Sequence, residues 1–400
     1  MAWKETCAVE ERFRFIEEYR SEEWQFTELC RRYGVSRKTG YKWIERYQAA
    51  GWEGLRDRSR APARHPNEVT REVAEAVLDM RCQHPHWGPA KLRARLQREA
   101  PEIRWPAEST IGEMLKRAGL AVPQKRRRKA TPSQSPLRQT EAANQVWCAD
   151  FKGWFRCGDG KRCDPFTITD HYSRFLLRCQ AMETMQEEPV RAIMEAAFRE
   201  YGMPEAIRTD NGEPFASVGL SGLSRLSVWW IKLGIRLERI PLGKPQHNGR
   251  HERMHRSLKQ ATANPPGVNL RAQQRSFDAF RQEYNWQRPH EALEMKTPSE
   301  FYEESGRDYP RYLLEPDYSD DWEIRRVRKC GRIRWCNTPI FVSKVLSHEP
   351  IGFEPIADGQ WRLWFFDYPL GIFDERKATV HKLPTDRKAP RQTACGSKES

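Results

Sequence analysis

Apolar residues near the start of the chain recur at helical spacing. Val9, Phe13, Ile16 and Arg20 predict a first helix, and Leu29 with Tyr33 a second that stops at Gly34. In "GVSRKTGYKWIERYQAAG", Gly34 suits the left-handed position after a helix, Val35 can plug a small core and Ser36 can cap a new helix. Its expected apolar positions are Tyr41, Ile44 and Tyr47 or Gln48. The pattern is that of a helix-turn-helix, with Arg37, Lys38 and Lys42 near the start of the second helix, where such helices meet bases and phosphates. The alternative is a three-helix bundle with a charged outer face. Three more helices are predicted between residues 68 and 120, in "TREVAEAVLDMRCQ", "GPAKLRARLQREA" and "ESTIGEMLKRAGL". They suggest a second small DNA-binding unit, in which Lys91, Arg93 and Arg95 are either phosphate contacts or a solvated face.

The period then changes. "QVWCADFKGWF" and "CDPFTITDHYSRFLLRCQAM" predict three neighbouring strands with a turn at residues 158–161. A helix from about Glu188 to Tyr201, a strand in "EAIRTDNG", a helix near "LSRLSVWWIKLG" and a strand in "IRLERI" follow. This alternation predicts a mixed sheet covered on both faces. After "GKPQHNG", residues 248–261 predict a helix buried through Met254, Leu258 and Ala261. From about Arg325 to His381, short β-rich runs predict a small barrel-like domain of open role, in which Arg332, Arg334 and Trp335 are candidate DNA contacts, with Trp335, Trp361 and Trp364 read instead as core aromatics.

Charge and composition narrow the partners. With 69 Lys+Arg against 55 Asp+Glu the formal charge is +14, which favours polyanions and nucleic acid first. The segment "AVPQKRRRKATPSQSPLRQT" has no acid and no apolar period, so Lys125, Arg126, Arg127 and Arg128 are expected to track phosphates from a flexible linker. Ten cysteines without a C-x-x-C pair imply neither a disulfide framework nor a zinc site, and buried reduced thiols are expected. No apolar run approaches the roughly 20 residues of a membrane span, and the first residues lack a signal-peptide core. A cytoplasmic protein with no membrane partner is expected.

The candidate chemistry is acidic. Asp150 ends the first predicted strand, Asp210 the fourth, and Glu252 projects from the first turns of the helix over 248–261, among the bases of "KPQHNGRHERMHRSLK". Taken singly, Asp150 reads as a strand-end carboxylate, Asp210 as an Asp-Asn-Gly turn, and Glu252 as an i,i+4 partner of Arg256 worth about 0.2–0.5 kcal/mol. Brought together they would repel unless protonated or bound to cations, and oxygen ligands favour Mg²⁺ or Mn²⁺ over zinc. Two such ions, roughly 3.5–4 Å apart, would stabilise both oxygens of an in-line phosphoryl displacement. Arg256 and Lys259, one and two turns further along the helix, would hold the phosphate, with Lys244 before it.

At these residues the chain resembles the DDE transposases and retroviral-type integrases. The resemblance runs through "WCADFKGWF", "ITDHYSRFLL", "RTDNGEPF", "PLGKPQHNGRHERMHRSLK" and "YNWQRPHEALEMKTPSEFY", about residues 141–302, and the helical front resembles bacterial insertion-sequence transposases. It implies a ribonuclease H-like α/β core, a catalytic and metal-binding triad of Asp150, Asp210 and Glu252, and Lys259 as the basic residue two turns on. The interval from Asp210 to Glu252, 42 positions, is longer than the commonest family spacing, with "SVGLSGLSRLS" the expected extra loop. The implied multidomain order is a helix-turn-helix domain over 1–62, a second helical DNA-binding domain over 63–120, a basic linker over 121–140, the catalytic core over 141–305, a small β-rich domain over 306–384 and a disordered tail over 385–400. The implied activity is two-metal-dependent DNA cleavage and strand transfer by a homo-oligomeric synaptic complex, acting on double-stranded terminal repeats and target DNA. It would take place in a bacterial cytoplasm, at the nucleoid when DNA is bound. The alternatives are a regulator with an inert core and a nuclease that does not join.

Overall fold

Gly40 sets the architecture of the amino-terminal unit, because a Cβ there would lie 2.9 Å from Cys30 Sγ and 2.9 Å from the Phe26 ring. The computed structural model describes residues 7–58, 69–121, 140–217, 219, 221–241 and 249–383. Met1–Val69 forms one compact unit and Thr70–Ser400 another. In the first, α1 (Ala8–Arg20), α2 (Phe26–Arg32) and α3 (Arg37–Ala50) enclose Phe15, Ile16, Leu29, Cys30, Trp43, Ile44 and Leu55. Gly34 takes φ +65° before α3, and Ser36 caps it by accepting from the Thr39 amide at 3.2 Å. Of the expected stripe on α3, Ile44 is buried and Tyr47 packs on the core, whereas Tyr41 is 57% exposed. The close approach of α3 to α2 at Gly40 rotates Gly40, Trp43 and Ile44 inward.

The second unit begins with α4 (Arg71–Gln83), α5 (Pro89–Glu99) and α6 (Glu108–Arg117), closed around Val77, Trp87, Leu92, Leu96, Ile111 and Leu115. This bundle rests on the segment 283–300, through His84 to Glu283 at 3.2 Å and Arg98 to Glu300 at 2.8 Å. Burial pushes the Lys91 ammonium down to about 8, with Arg288 adding to the shift, so Lys91 is no solvated charge. Arg93 is exposed, and Arg95 pairs with Glu99 at 2.7 Å.

The sheet of this unit contains β1 (Val146–Phe151), β2 (Phe155–Arg156), β3 (Arg162–Asp170), β4 (Leu176–Met182), β5 (Ala206–Thr209) and β6 (Arg236–Arg239). β3 is antiparallel to β1, β2 and β4, whereas β1, β5 and β6 run parallel. It is the mixed sheet expected of a ribonuclease H-like core. Trp147, Ala149, Phe166 and Ile168 face α7 (Glu187–Tyr201) and α8 (Arg225–Lys232). Cys163, Leu176 and Cys179 face α9 (Gly249–Thr262) and α10 (Leu270–Gln282). Because Phe155–Arg156 forms a strand of its own, Asp210 follows the fifth strand in chain order, not the fourth. α9 buries Met254 and Leu258 as expected, but Ala261 is exposed and the inward face is completed by His251, His255, Ser257 and Thr262.

The carboxy-terminal part is an open antiparallel sheet in the order β13 (Thr379–His381), β12 (Tyr368–Asp374), β11 (Gln360–Phe365), β10 (Pro350–Ala357), β7 (Glu323–Arg326). The hairpin of β8 (Arg332–Trp335) and β9 (Thr338–Phe341) packs Ile333, Trp335 and Ile340 on Phe353, Leu363 and Phe373. Trp335 is core, while Trp361 and Trp364 are half-buried with indole N–H groups donating to Glu375 and Glu354. Of the described cysteines, five are buried thiols, whereas Cys7, Cys82, Cys330 and Cys336 are exposed. None of the described helices is long and apolar enough to cross a membrane. The linker residues Lys125, Arg126, Arg127 and Arg128, the residue Lys244 and the tail 385–400 lie outside the described residues.

Candidate functional site

The parallel pairing of β1 and β5 sets Cys148 opposite Arg208. The pairing stops there, with Asp150 two residues further along β1 and Asp210 just past the end of β5. His171 approaches both members of the pair, 3.5 Å from Cys148 Sγ and 3.1 Å from the Arg208 guanidinium, while Arg208 is tied to Glu238 at 2.8 Å. Burial, followed by the charge of Arg208, pushes the His171 imidazole down to about 3. It is neutral.

α9 packs against the same sheet. Asp150 and Glu252 line one cavity of about 480 Å³ together with Lys152, Arg256 and Lys259. Among the described residues no ion pair joins Glu252 to Arg256, so the simple i,i+4 reading of Glu252 does not hold. Asp210 is not among the residues lining this cavity. Its Oδ1 accepts from the Gly212 amide at 3.1 Å, closing the Asp-Asn-Gly turn. The fold thus brings Asp150, Glu252, Arg256 and Lys259 together, with Asp210 at the end of the adjoining strand.

What holds α9 there is a polar cluster that the sequence reading missed. Thr167 Oγ1 donates to the Asp150 carbonyl at 3.1 Å and lies 2.7 Å from Nε2 of both His251 and His255. Thr169 Oγ1 lies 2.9 Å from His251 Nδ1. With the one Thr167 hydroxyl proton committed to Asp150, both Nε2 atoms carry protons and donate to Thr167, and His251 Nδ1 accepts from Thr169. Neutral rings satisfy this arrangement, and burial pushes His251 down to about 3 and His255 well below the ordinary histidine value. Donor atoms of Asp150, His251 and His255 lie within 4.8 Å of one another, a spacing that could suit a metal. In the tautomers that let both rings donate to Thr167, each Nε2 carries a proton and offers a cation no lone pair. The cluster therefore reads as a brace between β3 and α9. Histidines at 251 and 255, in phase with Leu258 and Thr262, were its signal in the sequence.

On the other unit, Arg37, Lys38 and Lys42 are exposed along the first turns of α3. The Lys42 ammonium sits 4.3 Å from the Trp43 ring, a cation–π contact that holds it against the helix.

Comparison with known proteins agrees with this layout. Residues 140–245 and residues 233–298 each match an integrase core domain. Residues 11–63 match a helix-turn-helix domain, and residues 39–115 a homeodomain-like domain. A 31.7 kDa protein of insertion element IS407 from Burkholderia multivorans is 29% identical over 239 residues, 59% of this chain and 82% of that protein. A 39.2 kDa protein of insertion element IS476 from Xanthomonas euvesicatoria is 25% identical over 249 residues, 61% of this chain and 69% of its own. Among solved structures, the HTLV-2 integrase catalytic core domain in complex with magnesium has 15% identity and a TM-score of 0.33, covering 41% of this chain and 100% of that one.

Proposed function

We propose, from the premise that this chain is an insertion-sequence transposase with an integrase core and helix-turn-helix DNA-binding domains, that it cuts and joins DNA at the cavity between β1 and α9. One observation carries the reading. Two carboxylates, Asp150 and Glu252, share a cavity whose other charged residues are the cations Lys152, Arg256 and Lys259. Such a site suits a phosphodiester backbone held beside hard cations. The donor set fits them, because the histidine nitrogens are engaged with Thr167 and what faces the cavity from the acids is oxygen. Asp150, Glu252 and, once its carboxylate leaves the Gly212 amide, Asp210 would hold two Mg²⁺ or Mn²⁺ ions. Bound there, the ions supply Lewis-acid stabilisation of the attacking and leaving oxygens.

The chain's own groups do the rest. Lys259 and Arg256 bind the phosphate from the α9 side, Lys152 from the strand side, and the Thr167 brace keeps Glu252 at a fixed distance from Asp150. Arg37 and Lys38 read the terminal repeat. Two ends and a target must be handled together, so a homo-oligomer is the working form.

The test is incubation of the purified protein with labelled element ends, target DNA and Mg²⁺. Nicked ends and joined products, both abolished by EDTA while end binding persists, are expected. Nicks without joints would make the protein a nuclease, and binding without nicks would make it a regulator.

A further inference from the structure

Trp154 stands in the loop directly after β1 and is 55% exposed, an unusual place for a large indole. It is not loosely hung. The Arg162 guanidinium lies 5.3 Å from its ring centroid and that of Arg156 5.7 Å, and Arg162 is itself anchored by Asp164 at 2.6 Å. Beside the indole is a cavity of about 310 Å³ floored by Phe155, Pro165, Leu258 and Phe277. Its rim is Lys152 and Lys259, the two lysines that also line the cavity of Asp150 and Glu252. The two spaces adjoin, one acidic and the other apolar, with a shared cationic edge.

An apolar floor, an exposed aromatic ring and a cationic rim together describe a ligand that is planar, weakly polar and tethered to an anion. We infer that this cavity receives an unpaired nucleobase of the DNA end, stacked on Trp154, while Lys152 and Lys259 hold the phosphate next to it. The inference rests on the reading of the neighbouring cavity as the place where the strand is cut. Stacking on an indole suits any base, so the contact opens the end without reading its sequence. A paired base cannot enter, and the terminal pairs must therefore part before cleavage, as in other enzymes that take a base out of its stack. Gly153 gives the loop room for this, at φ +86° with no atom within 4 Å of where a Cβ would stand.

The experiment compares full-length wild type, Trp154→Ala and Trp154→Phe on two labelled ends, one fully paired and one with its terminal pairs mismatched. Loss of one base–aromatic stack should slow Trp154→Ala by about 5- to 100-fold on the paired end. The deficit should be clearly smaller on the mismatched end, and Trp154→Phe should retain most activity on both. With 2-aminopurine as the unpaired terminal base, emission should be quenched by wild type and brighter with Trp154→Ala. Equal deficits on the two ends, or none, together with unchanged emission, would overturn the inference. Should wild type cut neither end, the reading of the acidic cavity fails, whereas Trp154-dependent quenching still decides the stacking site.

Discussion

Thr167 is the residue on which the two halves of the candidate site meet, because its single hydroxyl serves the Asp150 carbonyl and both α9 histidines. Thr167→Val keeps the shape and strands two buried N–H groups, which costs about 2–5 kcal/mol in total. We expect a lower denaturation midpoint and reduced cleavage with unchanged end binding, and Thr167→Ser should restore both. Full cleavage by a destabilised Thr167→Val would show that the brace serves stability alone. Asp210→Asn and Glu252→Gln would each remove one oxygen ligand of the proposed metal site, so folding and end binding should persist while cutting and joining disappear. Wild-type cleavage by either variant would place the chemistry elsewhere. Lys259→Ala should instead leave a reduced activity, since it weakens only the hold on phosphate. That Asp150 and Glu252 face one cavity was legible in the sequence, because a strand end and a helix start frame them, whereas Asp210 does not line it. The histidines were not legible, since in a run as basic as "GRHERMHRSLK" they read as surface until packing against Thr167 and Thr169 gives them partners. A further histidine links residue chemistry to pH. Burial pushes His290 from 6.5 down to about 3, with Arg288 and Lys91 adding to the effect. Below about pH 6.5 the unfolded chain binds a proton that the folded chain refuses, so stability present above that value is lost as pH falls towards 3. The slope from one such group is about 1.4 kcal/mol per pH unit. His290→Gln should flatten the dependence between pH 6.5 and 5 by that amount, read from urea midpoints, and an unchanged slope would contradict the assignment.

Among the elements, α3 shows what pattern alone leaves open. Its start was legible from Gly34, Val35 and Ser36, whose turn and cap chemistry is local. Its buried face was legible only in part, because hydrophobicity favours Tyr41 over Gly40, and only the approach of Phe15, Phe26 and Cys30 makes glycine the inward residue. Gly40→Ala would press a methyl group against three neighbours at 2.9–3.0 Å. The displacement should destabilise the amino-terminal unit by about 1–3 kcal/mol and shift Arg37 and Lys38 off their contacts. Binding to terminal repeats should fall further than binding to random DNA. Equal losses on both would mean that α3 supplies charge without reading sequence, and Arg37→Ala with Lys38→Ala should then be equally indifferent. α8 is the opposite case. "RLSVWWIK" is apolar on nearly every side, and a helix of that kind must be covered all round. The sequence predicts the helix and leaves open what covers it.

At the scale of the whole molecule, the second cover of α8 is the carboxy-terminal sheet. Leu226, Trp229 and Trp230 turn into the core beneath the mixed sheet, while Val228 and Ile231, with Leu223, join Ile351, Phe353, Leu363, Phe365 and Phe373. Lys232 completes the joint by pairing with Glu349 at 2.7 Å, where both side chains are about four-fifths shielded. The β-rich part is therefore a structural cover of the integrase-core region, whatever else it touches. Ending the chain at residue 315 would return three apolar side chains to water, each worth about 1.5–3 kcal/mol when buried, and leave Lys232 without its partner. The truncated protein should aggregate or melt well below the full chain, and should lose cleavage for that reason even though Asp150, Asp210 and Glu252 remain. Pairing the truncation with Val228→Gln and Ile231→Lys separates cover from chemistry. In the truncated chain the two polar residues should restore solubility, whereas in the full chain they should destabilise the joint. If the plain truncation stayed soluble, kept its melting temperature and still cut element ends, the sheet would not be a cover, and its exposed Arg332 and Arg334 would be the place to look for its purpose.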